Sequence, residues 1–246
     1  MRRNMTSKRE RITGVNRIEI GCGSHKREGF FGIDVLPSPV TDLVLDVETE
    51  ALPFADDSID YIYSSHAFEH LEKPGSPIQT LRELVRVARD GATVEIWTPY
   101  GKSNDGLLPG HHNFYTESHW KHICYEYDGF YLGEQPGRFF WERTQYVMWP
   151  GIVEKLIQLN IPLEFALDHM FNIALEFGVF LKVEKQATKA RSPQIPVLEF
   201  CYQRGEVLPA EQLRPPPPPP PPPPPTLFER LAPARIVHRL VGNGKP

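Results

Sequence analysis

Two carboxylates follow a glycine-rich turn near the start of the chain, at a spacing that suits the binding of a nucleoside. The turn is Gly21-Cys22-Gly23, and the carboxylates are Asp34 and Asp46. Each of the three follows a short apolar-rich run typical of a β-strand, so we expect them at one edge of a parallel sheet, where open α/β sheets bind ligands. Glycine lets a ligand approach the backbone, and a carboxylate accepts hydrogen bonds from ribose hydroxyls.

The spacing argues against NAD as this ligand. The dinucleotide fingerprint G-x-G-x-x-G opens a full helix, and its acidic residue follows about 20 residues later. Here Lys26 takes the place of the third glycine, and Asp34 follows Gly21 by only 13 residues. A helix hardly fits between them, so the helix N-terminus that binds a pyrophosphate is missing.

The run 66–70, His-Ala-Phe-Glu-His, is a second candidate group. It matches H-x-x-E-H, a zinc-peptidase pattern with two histidines on one helical face and a glutamate as general base, and Glu142 is a candidate third ligand. Two other interpretations stay open. One is a structural or cofactor-shaping role, with His70 hydrogen-bonded below the cofactor site, and the other is substrate chemistry at His66. The sequence favours these two over zinc, and we expect no metal.

Four histidines crowd the segment that follows the fifth predicted strand, namely His111, His112, His119 and His122. Histidine is suited to proton transfer near neutral pH. We therefore expect His111 or His112, together with His66, to be catalytic. The alternative is that His119 and His122 are solvent-facing helix residues and that the other two lie in a simple loop.

Strands that alternate with crossovers must position these residues, which predicts a mostly parallel α/β sheet. Strands are predicted over 17–20, 30–35, 42–47, 59–64 and 93–98, with a helix over 77–89. Beyond residue 100, helices are predicted over 116–127, 152–159 and 163–177, and closing strands over 179–184 and 196–202. The aromatic-rich segment 139–149 is consistent with either a strand or a buried loop.

Six short motifs occur in a fixed order along the first hundred residues. They are R-I-E-I-G-C-G at 17–23, G-I-D at 32–34, L-D-V at 45–47, L-P-F at 52–54, D-Y-I-Y-S-S-H-A-F-E-H-L at 60–71 and L-R-E-L-V-R-V at 81–87. In this order and spacing they resemble a class I S-adenosylmethionine-dependent methyltransferase of the type 11 group.

The resemblance implies a Rossmann-like methyltransferase fold of the α/β class, with a mostly parallel seven-stranded sheet and an acceptor cap inserted at about 100–180. It also implies S-adenosyl-L-methionine as the cofactor. The residues that it implies for cofactor binding are Glu19, Gly21, Cys22 and Gly23 in the first loop, Asp34 at the ribose, Asp46 and the Val47 amide at the adenine, Leu52 and Phe54 as adenine walls, and Ser65 and His66 near the methionine end. The first crossover is shorter than is usual in the family, and we hypothesise that Lys26 or Arg27 pairs with the cofactor carboxylate.

We expect a methyltransferase that O-methylates a saccharide or related small molecule in polysaccharide or natural-product assembly. The aromatic residues between 100 and 200 either stack on such an acceptor or fill the core of the cap. A cofactor-binding scaffold without catalysis is the alternative from another class, and the zinc peptidase is a less favoured one.

Composition and charge narrow the class of protein further. The 246 residues are 40% hydrophobic with a net charge of −4, which suits a globular chain and argues against nucleic acid as a partner. Three widely separated cysteines argue against a disulfide framework and favour a reducing compartment. The start has no secretory pattern, and the apolar segment 161–183 is too polar for a membrane span. We expect a soluble cytoplasmic protein.

Eleven consecutive prolines, 215–225, mark a boundary in the chain. The predicted organisation is a disordered basic N-terminus (1–14), a methyltransferase domain (15–205), a proline-rich linker (206–225) and a basic amphipathic tail (226–246). The tail is expected either to bind a membrane surface or protein partner, or to pack, partly disordered, on its own domain.

Overall fold

The computed structural model of the chain describes residues 11–134, 137–186 and 196–213. The chain divides into two units, Met1–Pro215 and Pro216–Pro246. Predictions for residues 1–10 and 214–246, which include most of the basic N-terminus, the proline run and the whole tail, lie outside the described residues. Among the helices that are described, none is long and apolar enough to cross a membrane.

An eight-stranded sheet forms the centre of the described fold. Its strands are β1 Arg17–Ile20, β2 Phe31–Asp34, β3 Leu43–Val44, β4 Ile59–Ser65, β5 Ala88–Pro99, β6 Arg138–Met148, β7 Ala174–Glu184 and β8 Val197–Cys201. Their order across the sheet is β3-β2-β1-β4-β5-β7-β6-β8. Only β7 is antiparallel to its neighbours, so the other seven share one direction. The predicted α/β fold with a mostly parallel sheet is confirmed, with eight strands instead of seven.

The aromatic-rich segment 139–149, whose pattern was consistent with either a strand or a buried loop, lies almost entirely in the strand β6. It lies inside the sheet between β7 and β8, and most of its residues are buried. Four polar residues, 142–145, interrupt its apolar residues, and a bulge between Trp141 and Arg143 shifts the alternation of the two faces, which is why the sequence did not distinguish a strand from a loop.

Five helices accompany the sheet in the described residues. They are α1 Ser76–Val87, α2 Glu117–Lys121, α3 Asp128–Leu132, α4 Pro150–Gln158 and α5 Leu163–His169. The helix α1 begins with a proline in its first turn and buries Leu81, Leu84 and Val85 against the sheet, as predicted. The predicted helix 116–127 begins as α2 and continues as a π-helix, His122–Glu126. Asp128 then begins α3.

The predicted helix over 163–177 is wrong in its second half. Helix α5 ends at His169, Asn172 has a left-handed φ of +61°, and β7 begins at Ala174. The run after Ala174 is apolar because β7 is enclosed by β5 and β6, and a buried strand of this kind resembles a buried helix in sequence.

The segment 100–180, predicted as an acceptor cap, supplies two strands of the sheet as well as four of the helices. β6 and β7 lie within it, and α2 to α5 precede them or connect them. Packing also continues beyond the predicted domain bounds of 15–205, because Ile12, Leu208 and Leu213 contact the main core.

The two faces of the sheet differ. One face packs with α1 into the main core, which includes Leu84 and Ile96. The other carries a smaller apolar cluster of Trp97, Val147, Phe180 and Cys201. The segments that join β1 to β2 and β2 to β3 contain turns and no helix, and the short spacing before Asp34 predicted this for the first of them.

Gly178 on β7 provides a test of this packing. A Cβ at this position lies 2.5–2.7 Å from three ring atoms of Trp97, which is 2% exposed and donates from Nε1 to Glu95 at 2.7 Å. Because the indole has nowhere to move, we expect Gly178→Ala to lower the free energy of unfolding by about 1–3 kcal/mol in equilibrium urea denaturation.

The matched control is Gly151→Ala in the first turn of α4, where a Cβ has no neighbour within 4 Å. We expect it to leave the free energy of unfolding unchanged or slightly higher. Equal losses in the two variants would contradict the assignment of the Gly178 effect to the indole.

Candidate active site

The glycine turn after β1 has the backbone conformation that only glycine adopts without strain. Gly21 and Gly23 have φ values of +73° and +52°. A Cβ on Gly21 would overlap the Cβ of Ala67, so the turn lies directly against the residues that follow β4. A Cβ on Gly23 has nothing within 4 Å, so the backbone faces open space at this point.

Asp34, at the end of β2, holds the open part of this turn. Its Oδ2 accepts the N–H of Gly23 at 2.8 Å, and its Oδ1 accepts the N–H of Leu36 at 2.9 Å. The predicted juxtaposition of the glycine turn with the first carboxylate is therefore present. A carboxylate offers about four acceptor positions, so two remain for a ligand.

Asp46 follows β3 and has a partner that the sequence did not indicate. It accepts hydrogen bonds from Lys73 Nζ at 2.5 Å, from Thr49 Oγ1 at 2.9 Å and from the N–H of Glu48 at 2.9 Å. The hydrogen bond from Lys73 is the main cause that lowers the pKa of Asp46 below its ordinary value. The carboxylate is thus ionised and oriented at the sheet edge.

Several residues implied for cofactor binding lie in the core or inside the loop. Leu52 and Phe54 are 3% and 2% exposed and belong to the main core. Glu19 is buried, which raises its pKa, and its Oε2 accepts the N–H of Arg27 at 2.6 Å. Cys22 is also buried, with Sγ 3.8 Å from Thr41 Oγ1.

Val47 is half-buried against the core, and its carbonyl oxygen accepts a hydrogen bond from Thr80 Oγ1 at 3.3 Å. The cations Lys26 and Arg27 are engaged elsewhere. Lys26 pairs with Asp42 at 2.5 Å, and Arg27 pairs with Glu95 at 3.1 Å.

His66 directly follows β4 and lies between two carboxylates. Its φ is +53°, a left-handed value uncommon for a residue with a side chain. Its Nδ1 donates to Glu69 Oε1 at 3.1 Å, and its Nε2 donates to Glu176 Oε2 at 2.7 Å. These hydrogen bonds, that to Glu176 first, raise the pKa of His66 to about 9, so the ring is an imidazolium at neutral pH. A charged imidazole has no lone pair with which to remove a proton.

Arg204 completes this charged cluster from the segment after β8. Its guanidinium donates to Ser65 Oγ at 2.9 Å and to Glu176 Oε1 at 2.7 Å, and it stacks 4.4 Å from the Trp97 ring centroid. Arg204 Nη2 and His66 Nε2 lie 2.9 Å apart, because both donate to the same carboxylate. Burial raises the pKa of Glu176, but the hydrogen bonds from Arg204 and His66 outweigh this effect and lower it to about 2.

Sequence reasoning missed both Glu176 and Arg204. Glu176 was assigned to a helix, whereas the antiparallel register pairs it with Pro99 and brings it to the carboxyl edge of the sheet. Arg204 follows shortly after β8, so the rule that found Asp34 and Asp46, a charged residue after an apolar strand, would also have indicated Arg204.

Of the four histidine rings after β5, that of His111 lies beside a ring of the turn that follows β4. His111 lies 4.8 Å from His70 between ring centroids, and its Nδ1 donates to the Gly106 carbonyl at 3.2 Å. His112 is near Glu72 at the surface, with 3.4 Å between Nε2 and Oε2. His119 belongs to the capping box of α2, and His122 pairs with Glu126, in line with the alternative that these two are helix residues.

The zinc-peptidase arrangement is not formed by the motif 66–70. The helical turn in this segment is the 3-10 helix Phe68–His70, so His66 lies outside it. Both ring nitrogens of His66 are occupied by carboxylates, and among the described residues the cluster with metal-ligand spacing contains neither His66 nor Glu142.

A cavity of about 340 Å³ lies between the helices and the α1-covered face of β6 and β8. Its lining includes the rings of Tyr125, Trp141 and Tyr146 and the carboxylates of Glu117, Glu164 and Asp168. Other aromatic residues of this segment, such as Tyr100 and Trp120, are buried in the core, and several, such as Phe130, are exposed. The aromatic residues therefore divide among the core, a lined cavity and the surface.

Comparison with known proteins identifies the class. Residues 18–96 match the family described as a methyltransferase domain, a stretch that runs from β1 into β5 and contains the glycine turn, Asp34, Asp46 and His66. The chain therefore contains a methyltransferase domain, in agreement with the resemblance to class I S-adenosylmethionine-dependent methyltransferases, and it is an enzyme whose cofactor is S-adenosyl-L-methionine. The family match argues against the scaffold without catalysis and the zinc peptidase. No curated protein matches the chain.

Solved structures with a related shape include S-adenosylmethionine-dependent methyltransferases from three organisms. The protein from Archaeoglobus fulgidus has 19% identity and a TM-score of 0.46, over 69% of this chain and 86% of its own. The protein from Aquifex aeolicus has 18% identity and a TM-score of 0.41, over 70% of this chain and 83% of its own. The protein from Mesorhizobium loti has 15% identity and a TM-score of 0.40, over 69% of this chain and 91% of its own. At these values the likenesses carry no conclusion beyond the family match.

The charge cluster predicts a pH-dependent contribution to stability. The folded-state pKa of Glu176 is about 2, below its ordinary 4.5, so its stabilising effect is full above pH 4.5 and disappears as the pH falls through about 2. We expect Glu176→Gln to lower the free energy of unfolding at pH 7 by at most roughly 3 kcal/mol, and the difference from the native protein to shrink steadily below pH 4.5.

The measurement is urea denaturation of both proteins at a series of pH values. Glu154→Gln, on the exposed face of α4, is the matched control and should show no such trend. A difference between Glu176→Gln and the native protein that stays constant from pH 7 to pH 3 would contradict the depressed pKa.

Proposed function

We propose that this methyltransferase transfers the methyl group to a hydroxyl oxygen of a saccharide or related small molecule, in polysaccharide or natural-product assembly. Bound S-adenosylmethionine supplies a methyl carbon on a sulfonium, and the carbon–sulfur bond breaks as the bond to the acceptor oxygen forms, leaving a neutral thioether. The protein must align the acceptor, exclude water and remove the hydroxyl proton. The observation that carries the proposal is the ring of His111 beside the turn that follows β4.

The residues of the chain fit the cofactor at the glycine turn and the first carboxylate. The backbone at Gly23 is open, and Asp34 is oriented by two N–H groups with acceptor positions to spare. We assign Asp34 to the ribose and Asp46 to the adenine end. Leu52 and Phe54 support the adenine side from within the core, and Ser65 and His66 border the methionine end.

Among the three histidines expected to be catalytic, His111 is the one we assign to loss of the hydroxyl proton. His66 is charged and carries no free ring nitrogen. His112 is directed towards Glu72 at the surface. With Nδ1 of His111 donating to Gly106, its Nε2 has the lone pair.

The cavity beside β6 supports an acceptor rich in hydroxyl groups. Tyr125 and Trp141 offer flat apolar surfaces of the kind that stack on sugar rings, and the carboxylates of Glu164 and Asp168 accept hydrogen bonds from hydroxyls. Tyr146, which also lines the cavity, is level with Thr98 near the end of β5, since both pair with Phe177. The cavity thus extends towards the carboxyl edge.

We retain the predicted cytoplasmic location as part of the proposal. Cys22, Cys124 and Cys201 are buried and free, which suits a reducing compartment. Docking of residues 226–246 on a membrane or protein partner stays a prediction, because these residues lie outside the described part of the chain.

Cofactor binding tests the Asp34 assignment. We expect Asp34→Asn to weaken binding of S-adenosylmethionine about ten- to hundredfold in isothermal titration calorimetry, because hydrogen bonds to a charged acceptor contribute roughly 1.5–3 kcal/mol. The control is Asp60→Asn on β4, an aspartate that pairs with Arg89 and Asn16. Unchanged affinity in Asp34→Asn would refute the ribose assignment.

Turnover tests the acceptor and the role of His111. With a panel of hydroxyl-bearing saccharides and matched amino compounds, we expect methylation of a hydroxyl and a fall in kcat of about 10²–10⁴-fold in His111→Gln, with the affinity for S-adenosylmethionine unchanged. The control is His122→Gln, which replaces a half-buried histidine on the π-helix. Methylation of amines alone, or full kcat in His111→Gln, would overturn the proposal.

A further inference from the structure

Three side chains next to the proposed hydroxyl site converge in a way that the methyl transfer does not require. One potential ligand atom each from Glu69, His70 and His111 lies within 4.8 Å of the others. Two of these residues come from the 3-10 turn after β4, and the third comes from the loop after β5.

Glu69 carries a polar atom without a partner. The residue is 1% exposed, and while its Oε1 accepts a hydrogen bond from His66, its Oε2 has no hydrogen-bond partner in the described residues. A buried carboxylate oxygen left unpaired costs free energy, so its retention calls for a ligand.

The imidazole rings of His70 and His111 are each oriented by a hydrogen bond to a backbone carbonyl, as is usual for metal-binding histidines. Nδ1 of His70 donates to the Gly110 carbonyl at 3.0 Å, and Nδ1 of His111 donates to the Gly106 carbonyl at 3.2 Å. A backbone carbonyl on one ring nitrogen fixes the tautomer and leaves the lone pair on the other, Nε2.

Hydrogen bonds from residues beside the cluster join the loop after β5 to the turn after β4. Nδ2 of Asn113 donates to the carbonyls of Phe68 and Leu71, at 3.2 and 2.5 Å. The N–H groups of His112 and Asn113 both donate to the Glu69 carbonyl, at 2.7 and 3.2 Å. This set of contacts, which we call the Asn113 clamp, brings His111 to His70.

We propose that Glu69 Oε2, His70 Nε2 and His111 Nε2 bind one divalent transition-metal ion of the zinc type. Two imidazole nitrogens and one carboxylate oxygen form a donor set that suits such ions better than Mg²⁺ or Ca²⁺. Ligand atoms of a tetrahedral site are about 3.4 Å apart, so the cluster closes by roughly 1 Å on binding, and the exposed ring of His70 is free to supply that movement. The sequence alone led us to expect no metal.

This ion deepens the proposed function, on which its catalytic role rests. Three protein ligands leave a fourth position for the acceptor hydroxyl. A hydroxyl bound there loses its proton to solvent more readily, and its oxygen keeps the electron pair that forms the bond to the methyl carbon. His111 then promotes loss of the proton as a ligand, and His66 orients the Glu69 carboxylate.

Metal binding is tested on the untagged full chain after dialysis against a chelator. Calorimetric titration with Zn²⁺, and absorption spectra with Co²⁺, should give one ion per chain. His70→Ala and His111→Ala should weaken Zn²⁺ binding at least tenfold, with His122→Ala, a half-buried histidine outside the cluster, as the matched control. Circular dichroism and S-adenosylmethionine affinity report whether each variant is folded, and His70→Gln and Glu69→Gln are the conservative replacements.

The outcomes separate this inference from the proposed function. Absence of Zn²⁺ binding in the native chain, or native affinity in folded His70→Ala and His111→Ala, overturns the metal site whatever the turnover shows. Zn²⁺ binding lost in these variants supports the site even if no hydroxyl acceptor is methylated. Full turnover after complete metal removal overturns the role of the ion in proton loss.

Discussion

The carboxylate of Glu176 lies between two cations, the guanidinium of Arg204 and the imidazolium of His66. It joins the ends of β4 and β7 to the segment after β8, three parts of the chain that no local sequence pattern brings together. Loss of any one partner leaves a charge without compensation in a partly buried place, which is far more costly than loss of a surface ion pair. The left-handed backbone at His66 is held by this pairing, and through Glu69 the same residue orients the turn on which the proposed chemistry depends.

The short crossovers between the first three strands have a compensating set of contacts. Without a helix between β1 and β2, the loop is fixed from inside by Glu19, which accepts a backbone N–H, and from outside by Asp34 and Asp42. The sheet face with the smaller apolar cluster carries arginines over aromatic rings, with Arg27 above Tyr63 and Arg143 above Phe180. Ion pairs and cation–π contacts thus occur on a face where crossover helices commonly pack in α/β folds.

The sequence was sufficient to predict those features that depend on residues close together in the chain. The strand β1 begins and ends at the predicted residues, and Asp34 meets the glycine turn, because strand ends and glycine conformation depend on neighbours along the chain. The sequence was insufficient where the pairing of distant strands decides which residues meet. Glu176 reaches the site only because β7 is reversed, and Leu52 and Phe54 are enclosed by packing that no motif specifies. The metal-ligand spacing of Glu69, His70 and His111 arises from a contact between segments about forty residues apart, so the zinc-peptidase pattern of 66–70, with His66 and Glu142 as ligands, did not indicate it.

The Asn113 clamp has a consequence for how such an enzyme diversifies. It anchors the end of the loop after β5 to the turn after β4, while the tip of that loop, with the exposed side chains of Leu107 and Leu108, is under no such constraint. Substitutions of these two side chains therefore alter what the loop contacts, while the backbone carbonyl of Gly106 still accepts the hydrogen bond from the ring of His111. One loop thus combines a tip whose exposed side chains can vary with a base that the amide of Asn113 keeps in place.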